Sequence, residues 1–410
     1  AAWWLAKRGH QVQVFERAPS AGGLISSFDF AGVWVEHFYH FLCLMDEGYL
    51  RLCGELGLQE RVRFVETRTG FFFEGREYPF TTPPDLLRFS PVSLLDRLRL
   101  GALALECRWR TDWKKLDEIV ARDWLIDRIG RRAYEVIWHP LLALKFGELH
   151  DEISAAWVWH RIHRVSTSKG RSGYLEGGTK LLLDTLLEAL GSRGVEILTD
   201  HAVKSVEVRD GRVVGLRFEN GKAHDCDVVV STLPLPLLAD LLPEEERGYA
   251  EQLRKVAYIG IVCVVFKLAR PFSGYFWYNI HDARVPFNGL VEYTNLNPLG
   301  GDAGHVVYVP YYVSTEHAFY QTDDAEILGR TWEAAKLVAP GLRDEDLLGQ
   351  HVSRAPFAQA ICPAHFLKSL PAQRAPVEGL HLLDSAFLYP ADRNQSGLIL
   401  QAIERAEDIG

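Results

Sequence analysis

The chain has 410 residues, enough for two domains, and its content of 48% hydrophobic and 24% charged residues is ordinary for a globular protein. Its net charge of −9 argues against a general nucleic-acid-binding protein. Six scattered cysteines without a C-x-x-C pair argue against a zinc site or a disulfide scaffold. We therefore expect no metal, no nucleic-acid partner and a reducing, cytoplasmic compartment.

The first 24 residues, AAWWLAKRGHQVQVFERAPSAGGL, are typical of the second half of a βαβ dinucleotide-binding unit. Helix formers come first, Gly9 ends the helix, and a strand with alternating valines runs into Glu16. In such units this acid accepts hydrogen bonds from ribose hydroxyls. Gly22 and Gly23 would let the backbone approach a ligand closely. Any α/β crossover that ends in an acid would show the same pattern, so that alternative stays open.

A G-x-G-x-x-G turn should precede the helix of a dinucleotide-binding unit. No such turn precedes Ala1, so we expect the chain to be N-terminally truncated and to lack the loop that cradles the phosphates. The consequence would be weak cofactor binding by the chain as given, because that loop supplies backbone donors to the pyrophosphate.

The pattern of Val12, Val14, Glu16 and the glycine pair resembles the N-terminus of FAD-dependent oxidoreductases of the flavin amine oxidase, protoporphyrinogen oxidase and phytoene desaturase superfamily. The resemblance implies an FAD cofactor. It assigns to FAD, in this segment, Glu16, Arg17, Gly22, Gly23 and Leu24. Many members place an arginine where this chain has Leu24, so any contact made by that arginine is absent here.

An aromatic-rich stretch, FDFAGVWVEHFYHFL, follows from residue 28 to residue 42. The resembled group carries a (D/E)-x-G-x-H pattern near the flavin in this region, so His37 and His40 are candidate catalytic residues. An imidazole there could orient a substrate or shuttle a proton, because its pKa lies near neutrality. The alternative is a sheet with two buried structural histidines.

Apolar residues recur at intervals of three and four between residues 83 and 149, which predicts a helical insertion. Its segment PLLALKFG resembles a P-L-L-x-x-K-F-G stretch of the protoporphyrinogen-oxidase-like subset, and we take Lys145 as a third candidate catalytic residue. A solvated lysine at a helix end is the alternative. Ser93–Ala104 is amphipathic, and we expect it to pack inside the domain. The alternative is that it lies on the surface of a bilayer.

Hairpins with turns at Asp210-Gly211 and Asn220-Gly221 lead to a buried parallel-type strand that ends near Ser231 and Thr232. Ligands gather at the carboxyl ends of such strands in open α/β sheets. The resemblance implies that Val203 contacts the adenine through its backbone and that Ser231 and Thr232 lie near the ADP half of FAD.

A last strand ends at Asp384 and Ser385, and a loop, YPADRNQSG, precedes a C-terminal helix. The resemblance makes this the third FAD segment, with Asp384 and Ser385 at the ribityl and pyrophosphate. It places Asn394, Ser396 and Gly397 at a helix N-terminus that faces the flavin pyrimidine ring, where reduction adds negative charge. No cysteine lies in residues 396–400, so we expect FAD to be bound non-covalently.

Taken together, these segments predict an α/β protein with a Rossmann-like FAD-binding domain from residues 1–78, 170–250 and 365–410. An inserted α+β substrate domain would take residues 79–169 and 251–364. We expect hydride transfer from a C–N or C–C bond of a small or isoprenoid or ring-containing molecule to flavin N5. The sequence leaves the electron acceptor, the oligomeric state and peripheral membrane contact open.

Two other functions stay open at this point. One is a non-redox flavoenzyme resembling UDP-galactopyranose mutase, in which Arg161, Arg164 and Arg171 could be recruited to a diphosphate. The other is a degenerate module that no longer holds FAD.

Overall fold

The structure is a computed structural model, and it describes residues 1–168, 170–299 and 304–409. The predicted domain-boundary residues 169 and 410 lie outside that part. The helices and strands, in chain order, are α1 Ala2–Lys7, β1 Gln13–Phe15, β2 Ser27–Asp29, β3 Trp34–Glu36, α2 Glu47–Glu55, β4 Val62–Glu66, β5 Thr69–Phe73, β6 Arg76–Pro79, α3 Pro83–Arg88, α4 Leu94–Trp109, α5 Ala121–Ile129, α6 Arg131–Ala133, α7 His139–Phe146, α8 Ala155–Thr167, β7 Arg171–Leu175, α9 Gly178–Gly191, β8 Glu196–Leu198, β9 Val203–Arg209, β10 Arg212–Phe218, β11 Ala223–Asp225, β12 Val229–Ser231, α10 Leu235–Ala239, α11 Arg247–Arg254, β13 Tyr258–Leu268, β14 Trp277–His281, β15 Gly289–Glu292, β16 His305–Val313, α12 Ala318–Gln321, α13 Asp324–Val338, β17 Leu347–Ala360, α14 Phe366–Ser369, β18 Leu380–Leu382 and α15 Gln395–Asp408.

Two parallel strand pairs form the nucleotide-binding type of architecture. β1 pairs with β8, and β12 pairs with β18. Side chains from all four strands or their ends pack in one apolar cluster with α1, α9 and α15. The carboxyl ends of these strands carry Glu16, Ser231 and Asp384, which are three of the predicted cofactor residues. The predicted hairpin meander is present as an antiparallel sheet of β9, β10 and β11.

The largest sheet has seven strands in the order β17-β13-β16-β15-β14-β5-β6. One face, with Val262, Val264 and Phe266, packs on α13. The opposite face, with Ile261 and Cys263, packs against the aromatic stretch that begins at residue 28. The sheet therefore meets the N-terminal segment directly.

Two features of this sheet differ from the predicted arrangement. β5 and β6 hydrogen-bond within it, although the predicted first segment of the FAD domain runs to residue 78. β17 is a 14-residue strand that the sequence analysis did not predict. Its alternation of apolar and polar residues is broken by a bulge where it pairs with β13, which weakens the periodic signal. The division into two domains stays a prediction.

The insertion predicted between residues 83 and 149 is helical and extends further, through α8. A five-residue π-helix, Tyr134–Trp138, precedes α7, and such π segments occur frequently at functional sites. Ser154 caps α8 by accepting the backbone N–H of Ala156 at 3.0 Å. None of the helices in the described residues is long and apolar enough to span a bilayer.

Helix α4 has apolar residues on two faces. Leu103 and Cys107 point into the core, as expected for the internal interpretation. A second set of apolar side chains is exposed to solvent, and we call it the exposed α4 face: Leu94, Leu95, Leu98, Leu105 and Trp109. The predicted internal packing of this segment is thus present, while the alternative of contact with a bilayer stays a prediction.

Candidate active site

A cluster of charged and phenolic side chains lies where α7, α8, β16 and the loop before α15 meet. Lys145 is buried at the end of α7, and its Nζ lies 3.6 Å from Oδ2 of Asp392. Arg161 of α8 pairs with the same carboxylate oxygen. Arg393 donates to the Tyr312 hydroxyl at 3.2 Å and to Oε1 of Gln359 at 3.2 Å. We call Lys145, Arg161, Asp392, Arg393 and Tyr312 the cationic cluster.

Burial and mutual charge determine the protonation of this cluster. Burial lowers the pKa of Lys145 to about 8, because the ammonium loses its hydration. Burial opposes ionisation of Asp392, but Lys145 and Arg161 outweigh it and hold the pKa of that carboxyl well below its usual range. For Tyr312 burial is again opposed by the cations, and Arg393 and Lys145 lower the pKa of the phenol. Both the lysine and the phenol therefore have lowered pKa values, and that of the lysine is about 8.

Aromatic rings surround the Lys145 ammonium. Nζ lies 4.9 Å from the ring centre of Trp157 and 4.7 Å from that of Tyr312. The Tyr312 hydroxyl also lies 3.1 Å from the hydroxyl of Tyr39. These contacts hold a cation over π faces in a largely dry environment, where such an interaction is stronger than in water.

A small cavity adjoins the cationic cluster. Four of its lining residues carry polar groups: Trp157, Gln359, Ser385 and Arg393. The others are mostly small or aromatic residues at the end of β17 and in the segments after it: Ala360, Cys362, Ala386, Tyr389 and Ala391. Trp157 is 1% exposed, and its indole N–H has no hydrogen-bond partner in the part of the chain that the structure describes. The cavity thus combines an unsatisfied donor with a guanidinium.

The two predicted catalytic histidines lie in different surroundings. Nδ1 of His37 lies 2.8 Å from the Ser353 hydroxyl on β17, and burial followed by the nearby His351 lowers the pKa of His37. Nδ1 of His40 lies 2.8 Å from a carboxylate oxygen of Glu36, whose other oxygen accepts the Thr179 N–H at 3.0 Å. Neither histidine contacts Lys145, so the three candidates do not form one catalytic group.

The residue between the histidines provides a link that the sequence analysis did not assign. Tyr39 reaches Tyr312, whereas His37 and His40 turn to other partners. Tyr39, Tyr312, Asp392 and Arg393 were therefore missed as site residues. The adjacent Asp and Arg of the loop before α15 were a usable signal, because charged residues are rarely removed from solvent without a partner.

The predicted N-terminal cofactor residues follow β1. One carboxylate oxygen of Glu16 accepts the Ala18 N–H at 2.8 Å, and Arg17 is exposed. Gly22 has a φ of 129°, and a Cβ there would lie 2.6 Å from Leu183 of α9. Gly23 has a φ of 52° and begins a 3-10 turn that includes Leu24. A side chain at either glycine would be strained.

The predicted residues around the second parallel pair are mostly engaged with protein. The Ser231 hydroxyl accepts the Leu233 N–H at 3.3 Å, Thr232 is exposed, and Val203 begins β9. Oδ1 of Asp384 accepts the Tyr258 hydroxyl at 2.7 Å and the Ala386 N–H at 2.6 Å. Burial raises the pKa of Asp384.

The N-terminus of α15 is capped as predicted, and its serine contacts α2. Oδ1 of Asn394 accepts the Gly397 N–H at 2.7 Å. The Ser396 hydroxyl is buried and accepts the backbone N–H groups of Gly48 at 2.9 Å and Tyr49 at 3.3 Å. Ser396 thus joins α15 to α2 through its oxygen, and its assignment to the cofactor stays a prediction. A Cβ at Gly397 would lie 2.7 Å from Leu388.

The loop that carries Asp392 and Arg393 is anchored to the helical insertion through Tyr389. The Tyr389 hydroxyl donates to Asp117 at 2.7 Å and lies 2.6 Å from the Ser154 hydroxyl. All three side chains are buried. These hydrogen bonds therefore fix the loop to the start of α8, the helix that also carries Arg161.

The three arginines named for the mutase alternative do not converge. Arg161 pairs with Asp392, and Arg164 pairs with Asp46 at 3.0 Å. Arg171 donates to the backbone oxygen of Phe64 at 2.6 Å. A shared diphosphate site for these three is therefore not supported.

Comparisons with known proteins agree with this architecture. A family model described as flavin containing amine oxidoreductase matches residues 1–382. A 15-cis-phytoene desaturase from Glycine max is 22% identical over 425 residues, covering 93% of this chain and 72% of the desaturase.

Solved structures show the same fold at low identity. A protoporphyrinogen oxidase candidate from Exiguobacterium sp. 255-15 aligns with a TM-score of 0.79 at 15% identity, covering 100% of this chain and 95% of that one. A reduced UDP-galactopyranose mutase aligns with a TM-score of 0.77 at 16% identity, covering 100% and 92%. The predicted fold class is confirmed by these likenesses, which carry no information on the reaction.

Proposed function

Because the chain belongs to the flavin containing amine oxidoreductase family, we propose that it is an FAD-dependent oxidoreductase that takes a hydride equivalent from a C–C or C–N bond of its substrate. The observation that carries this proposal is the buried Lys145 ammonium beside Asp392 and Tyr312, because a titratable cation in an aromatic pocket is typical of a catalytic centre. A desaturation is favoured by the similarity to the phytoene desaturase, and the substrate would then contain an isoprenoid or ring system.

The residues at the strand ends fit a flavin nucleotide. Glu16 keeps one carboxylate oxygen without a partner in the described residues, and this oxygen is available to a ribose hydroxyl. The φ of 129° at Gly22 would strain any residue with a side chain, so this turn of the predicted cofactor segment requires glycine. The cap of Asn394 fixes the first turn of α15, whose positive end favours an anionic ring. FAD, when bound, supplies the hydride acceptor.

We propose that the protein groups of the cationic cluster bind and orient the substrate and exclude water from it. The rings of Trp157 and Tyr312 form an apolar wall, and Arg393 is fixed by Gln359 and Tyr312. Lys145 can hold a water or exchange a proton near neutral pH, because burial brings its pKa to about 8. His37 and His40 stay candidate residues for substrate orientation, away from this group.

Peripheral contact with a lipid surface is the second part of the proposal. The exposed α4 face presents four leucines and Trp109, and the Arg108 guanidinium lies 5.6 Å from the Trp109 ring. Residues 88–115 contain seven basic side chains and three acidic ones, in a chain with a net charge of −9. Within α4 itself, three basic side chains (Arg97, Arg99 and Arg108) outnumber two acidic ones (Asp96 and Glu106), and exposed apolar residues with a positive balance favour an anionic bilayer.

Two measurements on the purified chain test the redox function. A flavin absorbance spectrum decides whether FAD is retained, and a protein that binds none would support a degenerate module instead. Anaerobic bleaching of the flavin by isoprenoid or amine substrates is the expected result. If the flavin must be reduced beforehand and a sugar nucleotide is isomerised without net consumption of reductant, the mutase alternative holds and the proposal is wrong.

A further inference from the structure

We propose that Lys145, Arg161 and Arg393 bind an anionic group on the substrate, either a carboxylate or a phosphate. This inference rests on the proposed function, since it names the substrate class of the same site.

The charge balance of the cationic cluster is the first argument. Lys145, Arg161 and Arg393 contribute three positive charges, and Asp392 is the one carboxylate that pairs with them among the described residues. The nearby Arg164 is compensated separately by Asp46. Uncompensated charge is costly where it is buried, as at Lys145, whereas 24% of the Arg161 side chain is exposed to solvent. The excess of positive charge around Lys145 therefore favours an anion from outside.

Unused hydrogen-bond donors are the second argument. The Lys145 ammonium has three donors, and within the described residues it makes no hydrogen bond, its ion-pair partner being Asp392 at 3.6 Å. The Trp157 indole N–H is also without a partner there. Arg393 uses one N–H on Gln359 and one on Tyr312, out of five.

The position of these donors is the third argument. Trp157 and Arg393 line the same cavity, and the Trp157 ring contacts both Lys145 and Arg161, with cation-to-centroid distances of 4.9 Å each. Trp157 and Arg393 therefore border the cavity directly, and Lys145 and Arg161 lie next to it against the Trp157 ring. A carboxylate or a phosphate offers the several acceptor oxygens that such a set can satisfy.

An ionised Tyr312 is the competing source of negative charge. Its hydroxyl accepts from Arg393 and lies 3.1 Å from the Tyr39 hydroxyl. If Tyr312 were a phenolate at neutral pH, the cluster would need one external charge fewer. Phenolate absorbance of the parent, compared with Tyr312→Phe, measures this directly.

The test is anion binding by the purified 410-residue protein at neutral pH. Benzoate and inorganic phosphate are titrated separately, with tryptophan fluorescence and thermal unfolding as readouts. We expect saturable binding of at least one of them, weakened about tenfold or more in Arg393→Gln and Lys145→Met, because hydrogen bonds to a charged group are lost. Preference for benzoate would identify a carboxylate, and preference for phosphate a phosphate group.

Two further variants keep the result interpretable. Lys145→Arg keeps the charge and should retain binding even if Lys145→Met folds poorly. Arg217→Gln, which removes an exposed partner of Glu207, should bind like the parent. Equal affinity in the parent, Arg393→Gln and Arg217→Gln overturns the inference, as does a lack of binding by the folded parent. Flavin bleaching is measured independently, so an anion-binding failure with intact bleaching contradicts this inference alone.

Discussion

The Lys145 ammonium lies 3.6 Å from the Asp392 carboxylate, although α7 and the loop before α15 are distant in the chain. Asp392 stays ionised over the whole neutral range, because Lys145 and Arg161 outweigh its burial and lower its pKa. Titration of the lysine therefore switches the local charge, while the aspartate does not.

The pH dependence of ligand binding should follow Lys145. Its pKa is lowered from 10.5 to about 8, so the ammonium is present below this pH and is lost as pH rises through it. Binding of benzoate or phosphate should weaken through pH 8 in the parent. In Lys145→Arg the charge persists, because a guanidinium does not deprotonate in this range. A fall with the same midpoint in both proteins would contradict the assignment.

Glu16→Ala should weaken FAD binding by on the order of 2 kcal/mol, if two hydrogen bonds from the ribose to a charged acceptor are lost. Flavin retention after dialysis and a titration with FAD measure this effect. Glu245→Ala provides the control, because that side chain is exposed and does not belong to the predicted cofactor site. An unchanged dissociation constant in Glu16→Ala would remove Glu16 from the cofactor site.

Ser396→Ala should destabilise the fold by about 1–3 kcal/mol, because the backbone N–H groups of Gly48 and Tyr49 lose their buried acceptor. Urea unfolding measures the free energy, and Ser192→Ala, directly after α9, is an exposed control. Since the hydroxyl joins two helices, the spectrum of bound flavin should not change. Parent-like stability together with a shifted flavin spectrum would support the predicted cofactor assignment instead.

Gly397→Ala should also be destabilising, because its Cβ would lie 2.7 Å from Leu388. Overpacking of this kind costs about 1–3 kcal/mol. The double variant Gly397→Ala/Leu388→Ala should be more stable than the sum of the two single free-energy changes predicts, because the smaller side chain at 388 removes the close contact. If the double variant is simply additive, the close contact with Leu388 is not what requires glycine at this position.

Leu98→Glu should reduce binding to anionic phospholipid vesicles without unfolding the protein, since the side chain is 56% exposed on the exposed α4 face. Leu348→Glu is the matched control, because Leu348 is 51% exposed on β17, outside the helical insertion. Vesicle sedimentation compares the three proteins. Equal sedimentation of Leu98→Glu and the parent would mean that this face does not touch the lipid.

The local patterns predicted much of the fold and little of the site. β1 and its glycines, the hairpin meander and α15 follow from periodicity and turn residues, and these elements are present where expected. β17 and the pairing of β5 with β14 depend on partners far along the chain, which local periodicity does not reveal. Lys145 was found through its neighbours in sequence, but its partners Asp392, Arg393 and Tyr312 meet it only in three dimensions.

The histidines illustrate the same limit. His37 and His40 are close in sequence to Tyr39, and a motif resemblance cannot tell which of the three side chains turns toward the cavity. Side chains along an extended segment point to alternate sides, and the fold determines which side faces which partner. Here Tyr39 is the residue that reaches Tyr312, whereas His37 contacts Ser353.

The Tyr389 anchor has a consequence for ligand binding. Because its hydroxyl is held by Asp117 and Ser154, the segment with Asp392 and Arg393 and the helix with Arg161 form one rigid unit before any ligand arrives. A ligand then pays little reorganisation free energy, as in lock-and-key recognition.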